Sequence, residues 1–345
     1  MKVLIVNNMA PFVSGGAEAM ATHLQRNLVI AGHEAEVLRI PFQWEPATRI
    51  PSQMLMAKAF ELRNVDHVIA MKFPAYLVPH PRKTLWLVHQ YRQAYDLFDA
   101  GHSNLPPGQA GNDIRGLIHH ADDECFRSAR RIFAISDVTQ DRLARYNGFR
   151  SEILRAPIND PERFPGAESE GYVFAGGRVN GAKRQHLLVE AMVYADPSVR
   201  LVIAGPPDGP ADAARLHEAV EKLGLQDRVR LDLRFLSRED YARYLNHSAA
   251  VASLPFDEES FSYVAMEAAT AFKPVISTTD SGGVLGLARE SESGWVCEPA
   301  PVSLARALSA AIADPRRARE LGEGAHALWE SFGINWPATV RALVS

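Results

Sequence analysis

Cysteine is scarce in this sequence. Cys125 and Cys297 stand far apart among 345 residues, with no Cys-x-x-Cys or Cys/His cluster around either, so neither a disulfide framework nor a zinc site is indicated. A reducing, cytoplasmic setting is the expectation. Positive charge is not in excess: 37 Lys and Arg stand against 41 Asp and Glu, a formal charge of −4, which argues against a nucleic-acid partner. No apolar run nears the ~20 residues of a membrane-spanning helix. The opening Met1-Lys2-Val3-Leu4-Ile5-Val6 gives way to Asn7-Asn8, too early for a signal-peptide core, and reads as a first strand. Also missing are the G-x-G-x-x-G dinucleotide fingerprint and the G-x-x-x-x-G-K-[ST] phosphate loop, which leaves oxidoreductase and ATP-binding readings without support.

What the chain does have is alternation. Apolar runs of strand length take turns with amphipathic stretches of helix length, the pattern of parallel sheets covered by helices on both faces. In the first half, strands are expected at 2–6, 34–39, 67–70, 84–89, 131–134 and 152–154, with helices notably at 16–31, 51–63 and 137–146. Residues 156–166, Ala-Pro-Ile-Asn-Asp-Pro-Glu-Arg-Phe-Pro-Gly, interrupt with three prolines and several turn formers and read as a linker. Strands then resume at 172–175, 200–204, 229–233, 249–254, 274–277 and 295–297, with helices at 183–194, 302–313, 316–329 and 336–344. The length suits two domains. The expected fold class is α/β, with two Rossmann-like, doubly wound parallel-sheet domains, 1–157 and 158–335, whose C-terminal sheet edges would face an interdomain cleft.

Candidate chemistry sits where strands end. Glu259 and Glu267 have seven residues between them at a strand-to-helix junction, the first on the loop and the second in the opening turns of the helix. The intervening Ser260, Phe261 and Ser262 would bring backbone N–H groups to a helix start, where an anion or several hydroxyls are favoured. The competing reading is a solvated loop acid beside a glutamate interacting with its own helix dipole. In the stretch from Phe174 to Ala191, Arg178 follows a strand and Lys183 comes five residues later at a helix start. Two cations there repel unless an anion such as a diphosphate joins them; two solvated surface cations are the alternative. Gly15 and Gly16 let backbone approach a ligand and leave N–H groups free at a helix start, or form an ordinary turn. His89 ends an apolar strand and would bond a sugar hydroxyl or serve as a structural residue. Nearby Tyr91, Arg92 and Tyr95 are candidate acceptor contacts, rings for sugar faces and a guanidinium for phosphate.

Together these segments resemble glycosyltransferase family 4. The glutamate pair carries the resemblance, with Gly-Gly-Ala-Glu at 15–18, the Gly-Arg…Lys…Leu-Leu…Glu-Ala run between Gly177 and Ala191, and the strand-end His89; Ala134-Ile135-Ser136, Ala204-Gly205-Pro206 and Thr279-Asp280-Ser281-Gly282-Gly283 add smaller echoes. The resemblance implies a GT-B fold and retaining transfer of a hexose from a nucleotide sugar, UDP- or GDP-linked, to a hydroxyl of a glycan or glycolipid acceptor. It implies His89, Arg178, Lys183 and Glu259 as the catalytic set. The implied donor site is Gly15, Gly16, Arg178, Lys183, Glu259, Ser260, Phe261, Ser262, Tyr263 and Glu267, with the two cations on the diphosphate, Glu259 on sugar hydroxyls and Glu267 on the ribose. It also implies a final helix, 336–345, crossing back to the first domain. No Asp-x-Asp pair is present, so neither a metal nor another cofactor is expected. Ser260 and Ser262 depart from the family, which commonly has glycines there. Arginines at 127, 130, 131, 142, 145, 150 and 155 suggest peripheral contact with an anionic inner membrane face, and the Gly-, Pro- and Asn-bearing segment 98–113 suggests a mobile lid. A sugar-nucleotide epimerase, an inverting transferase and a non-catalytic nucleotide-sugar-binding subunit remain as other readings.

Overall fold

The computed structural model describes residues 1–11, 15–258 and 260–345. Its chain divides into two compact units, 1–157 with 334–345, and 158–333. In the first, the strands are β1 Lys2–Met9, β2 Glu34–Pro41, β3 His67–Lys72, β4 Lys83–His89, β5 Arg131–Ala134 and β6 Glu152–Ile153. They form one parallel sheet in the order β2-β1-β3-β4-β5-β6. Period-two alternation along β4 sends Leu85 and Leu87 to one apolar layer, with Val6, Val68 and Phe126, and Trp86 and Val88 to the other. Both faces are buried, which is why these strands read as unbroken apolar runs.

The second of those layers is completed by residues distant in sequence. Met20, Leu24 and Leu28 from the helix Gly16–Ile30 meet Val340 and Leu343 from the helix Trp336–Val344 across Val3, Ile5 and Trp86. Trp336 lies edge-on to Trp86 at 6.2 Å, and the Trp86 indole N–H donates to the Leu154 carbonyl at 2.7 Å. Asn335 caps this helix, its Oδ1 accepting from the Ala338 N–H at 2.9 Å. Residues 336–344 thus pack within the first unit although they follow the whole second unit in sequence.

In the second unit, β7 Tyr172–Gly176, β8 Arg200–Ala204, β9 Val229–Asp232, β10 Ala250–Ala252, β11 Val275–Thr278 and β12 Gly294–Cys297 form a parallel sheet in the order β12-β11-β10-β7-β8-β9. Counted within the unit and read from the β9 edge, that is 3-2-1-4-5-6, the Rossmann order. The chain leaves β7 toward β8 and later returns to β10 on its other side. The ends of β7 and β10 therefore diverge into a crevice, where such sheets bind ligands.

Two helices are shorter than their sequence pattern. The stretch expected over 51–63 is the helix Ile50–Lys58. The one expected over 183–194 is only Gln185–Ala191: Arg184, left-handed at φ 55°, delays its start, and residues 192–194 pass into turn. The expected lid at 98–113 is tied down: the Ser103 hydroxyl donates to the Gln93 carbonyl at 2.6 Å, Asn104 Nδ2 to the Trp44 carbonyl at 3.1 Å, and the helix Gln109–Ser128 begins within it. Among the described residues, no helix is long and apolar enough to cross a membrane.

Candidate active site

Close backbone approach joins the ends of β7 and β8 beside the crevice. Gly177 has φ 103°, and a Cβ on Gly205 after β8 would lie 2.1 Å from the Gly177 carbonyl oxygen, so only glycine lets the two strand ends meet. Beyond the ends, Gly176, Gly177, Arg178, Lys183, Leu254 and Ser262 line one pocket. Buried Gln185 donates to the Arg178 carbonyl at 2.9 Å, and the Asn180 side-chain oxygen accepts from the Lys183 N–H at 3.0 Å. These two bonds close the turn that carries both cations to the pocket, through a local side-chain-to-backbone turn that competes with helix.

Neither cation stands alone. Arg178 Nη1 pairs with Asp208 Oδ1 at 3.1 Å, and Asn180 Nδ2 donates to the other Asp208 oxygen at 2.8 Å. The Lys183 ammonium pairs with the Glu258 carboxylate. The expected mutual repulsion is therefore met by protein carboxylates, a relation hidden in the sequence by separations of 30 and 75 positions.

Sequence reasoning missed the next residue, Arg184. Its side chain is 12% exposed. It donates to the Leu254 and Pro255 carbonyls at 2.8 and 3.1 Å, to the Thr278 hydroxyl at 2.8 Å, and bidentately to Asp280 at 2.7 and 2.8 Å. One guanidinium thus fastens the start of the pocket helix to the segments leaving β10 and β11. Its left-handed backbone is what turns Arg184 inward while Lys183 faces the pocket.

Glu259 lies outside the described residues, as do Phe12, Val13 and Ser14 before the first-unit glycines. On either side of Glu259 the loop is buttressed. The Phe256 N–H donates to Ala182 at 2.9 Å, Asp257 to Asp280 at 2.8 Å, and Gly283 to the Glu258 carbonyl at 2.7 Å. The Phe261 ring is buried against Phe332 at 5.2 Å and over Gly286, and the Tyr263 hydroxyl is buried. Ser262, at the pocket, caps the helix Tyr263–Thr270 with φ 61° and ψ 127°, a conformation that suits glycine and costs a serine about 1–3 kcal/mol. Ser262→Gly is expected to stabilise the second unit by about 1 kcal/mol after the extra chain entropy of glycine is subtracted. A urea midpoint that stays or falls would show the loop to be unstrained.

Glu267 is 3% exposed and salt-bridged to Arg238 Nη2 at 2.6 Å. Burial pushes its carboxyl above the ordinary range, with Arg238 and the Tyr241 hydroxyl pulling the other way. Arg238 also donates to the Asn159 carbonyl at 3.2 Å and lies over the Phe164 ring at 4.7 Å. Glu267 is thus the floor of a buried network rather than an open carboxylate. Arg238 sits at the start of the helix Arg238–Asn246, whose Ser237 cap was a readable signal of a helix start but not of this partnership.

In the first unit, Gly15 caps the helix Gly16–Ile30, and its N–H is taken by Glu18 Oε2 at 2.9 Å. Lys72, at the end of β3, lies 3.8 Å from the other Glu18 oxygen. His89 is half-buried at the end of β4, with Nδ1 2.6 Å from the Gln90 carbonyl. Two expected acceptor contacts are corrected. Tyr91 packs between Phe42 and Phe73 and donates to Asn104 at 3.1 Å. Tyr95, 1% exposed, stacks on His119 and donates to buried Asp122 at 2.8 Å. Both rings are part of the first unit's apolar core, where burying their large apolar surface outweighs an exposed ligand contact. Arg92 is salt-bridged to Asp96 at 2.7 Å. Of the seven arginines read as a membrane face, 131, 142, 145 and 155 pair with Glu152, Asp96, Asp99 and Asp137.

Comparison with known proteins fits this geometry. Residues 159–328, nearly all of the second unit, match the family described as Glycosyl transferases group 1. A D-inositol 3-phosphate glycosyltransferase of Streptomyces bingchenggensis is 29% identical over 247 residues, covering 64% of this chain and 53% of the relative. The chain spans about half the length of the curated relatives it matches. Among solved structures, sucrose-phosphate synthase from Thermosynechococcus elongatus superimposes with a TM-score of 0.78 at 16% identity, covering 99% of this chain and 96% of that one. Anabaena HepE in complex with UDP-glucose gives 0.72 at 18% identity, covering 99% and 98%. The chain thus has two Rossmann-like sheets of the GT-B fold, and its second unit carries the domain described as Glycosyl transferases group 1.

Proposed function

We infer that this protein is a retaining glycosyltransferase that moves a hexose from a nucleotide diphosphate sugar to an acceptor hydroxyl of a glycan or glycolipid, without a metal ion. The observation that carries this reading is the convergence of Arg178 and Lys183 on one pocket at the switch point of a Rossmann-ordered sheet. That HepE is solved with UDP-glucose supports a nucleotide-sugar donor.

In this reading the bond between the anomeric carbon and the diphosphate oxygen breaks as the acceptor oxygen bonds to the same carbon on the same face. The acceptor proton passes to the departing phosphate oxygen. Negative charge grows on the diphosphate as it leaves, and fixed cations stabilise the transition state more than the ground state. Arg178 offers a planar fork and Lys183 a point charge. Glu259 would hold sugar hydroxyls and Glu267 the ribose, which requires Glu267 to share its carboxylate between Arg238 and the ligand. Neither acid need be a nucleophile, unlike the paired carboxylates of retaining hydrolases.

The test is release of nucleotide diphosphate from UDP-, GDP- and ADP-hexoses with a panel of sugar acceptors, each run with and without EDTA. Turnover of at least one donor that survives EDTA, with the product anomer matching the donor by NMR, is expected. No release from any donor would overturn the reading, an absolute divalent-metal requirement its metal-free part, and an inverted product its stereochemistry.

A further inference from the structure

We propose that Glu258 is an internal counter-ion that occupies the place of a ligand phosphate oxygen on Lys183, and that diphosphate binding must displace it. This rests on the donor reading above.

The Glu258 backbone is held while its side chain reaches away. Its carbonyl accepts from the Gly283 N–H at 2.7 Å, and it forms an isolated bridge with Gly282. Gly282 has φ 66°, and a Cβ there would lie 2.3 Å from the Glu258 carbonyl oxygen, so only glycine lets the turn come close enough to make these backbone contacts. Only side-chain torsions then separate a carboxylate on Lys183 from one turned aside to solvent. The ammonium it meets lines the pocket, and the turn bearing that ammonium is tied to the same loop through Phe256 and Ala182.

The chemistry of the pair matches that of the ligand. A carboxylate offers an ammonium the same kind of oxygen as a phosphate does. A single phosphate gains from Lys183 little that Glu258 does not already give, whereas a diphosphate that also engages Arg178 gains a second cation. The pair therefore raises the threshold for singly phosphorylated competitors and leaves Lys183 pre-positioned. Asp208 plays this part less well for Arg178, since both side chains of that pair are more than a third exposed, where ion pairs hold weakly.

The experiment is calorimetric titration of the full chain with inorganic pyrophosphate and with UDP and GDP, using the parent, Glu258→Gln, Lys183→Ala and the double variant. Glu258→Gln is expected to bind pyrophosphate and one nucleotide about three- to tenfold more tightly. That gain should vanish in the Lys183→Ala background, which a general structural effect of the substitution would not do. Glu258→Ala, which keeps the backbone bonds, gives the same result if the new amide finds another partner. Unchanged or weaker pyrophosphate binding by both variants, with an unaltered unfolding midpoint, overturns the counter-ion role. If pyrophosphate shows the gain while no variant binds a nucleotide, the counter-ion role stands and the nucleotide-sugar reading fails.

Discussion

Lys183→Ala is expected to lower kcat for hexose transfer roughly a hundred- to a thousandfold, the loss typical of removing one fixed stabiliser of developing negative charge. The donor KM should change far less, because the interaction strengthens as the diphosphate departs. The unfolding midpoint should hardly move. The Lys183 side chain is 30% exposed and ion-paired to Glu258, a setting in which such pairs contribute about 1 kcal/mol or less. Steady-state kinetics with the donor found by screening, beside urea unfolding of the same preparation, read both numbers. Turnover close to the parent's would remove Lys183 from leaving-group stabilisation.

Arg184→Ala, one position on, is expected to do the reverse. It should destabilise the second unit by about 3 kcal/mol, the lower end of what breaking a buried ion pair costs. Five hydrogen bonds to two carbonyls, a hydroxyl and a carboxylate are lost at once. Arg184→Lys should recover little, since a point charge cannot replace the fork. A pH signature accompanies the loss. The Arg184 hydrogen bonds, with help from Thr278, hold the Asp280 carboxyl below its ordinary range against partial burial. A depressed carboxyl contributes stability above its unfolded value that is lost as pH falls through the folded one. The parent should therefore weaken on acidification below the usual carboxylate range more steeply than Arg184→Ala. A urea midpoint equal to the parent's would show that the strand ends are held by other means.

Adjacent residues with opposite expected phenotypes illustrate what the sequence can and cannot disclose. The two-sheet architecture was readable because strands buried on both faces must be apolar throughout: Val68 to Met71 and Leu85 to Val88 carry almost no polar interruption. The placement of Arg178 and Lys183 after the first strand of the second unit was readable for the same reason, as a strand end followed by a glycine-bearing turn. Partnerships were not. Nothing local to Lys183 and Arg184 says that one faces a pocket and the other a carboxylate 96 positions later; the left-handed torsion at Arg184 decides it. Tyr91 and Tyr95 were misjudged by the same blindness, since an aromatic beside a polar strand end looks equally suited to a ligand or to a core. Glu267 was correctly placed on a helix, yet its burial with Arg238 depends on how two helices pack.

The helix Trp336–Val344 also sets a timetable. The second unit is continuous in sequence, from 158 to 333, whereas the first needs residues from both sides of it. During synthesis the surface formed by Val3, Ile5 and Trp86 lacks Val340 and Leu343 until everything between has been made. At typical elongation rates of about 5–20 residues per second, that wait is roughly 13 to 50 s. The nascent first unit must therefore carry an apolar groove past the ribosome for that interval, and its last helix closes the groove only after the second unit has had time to fold.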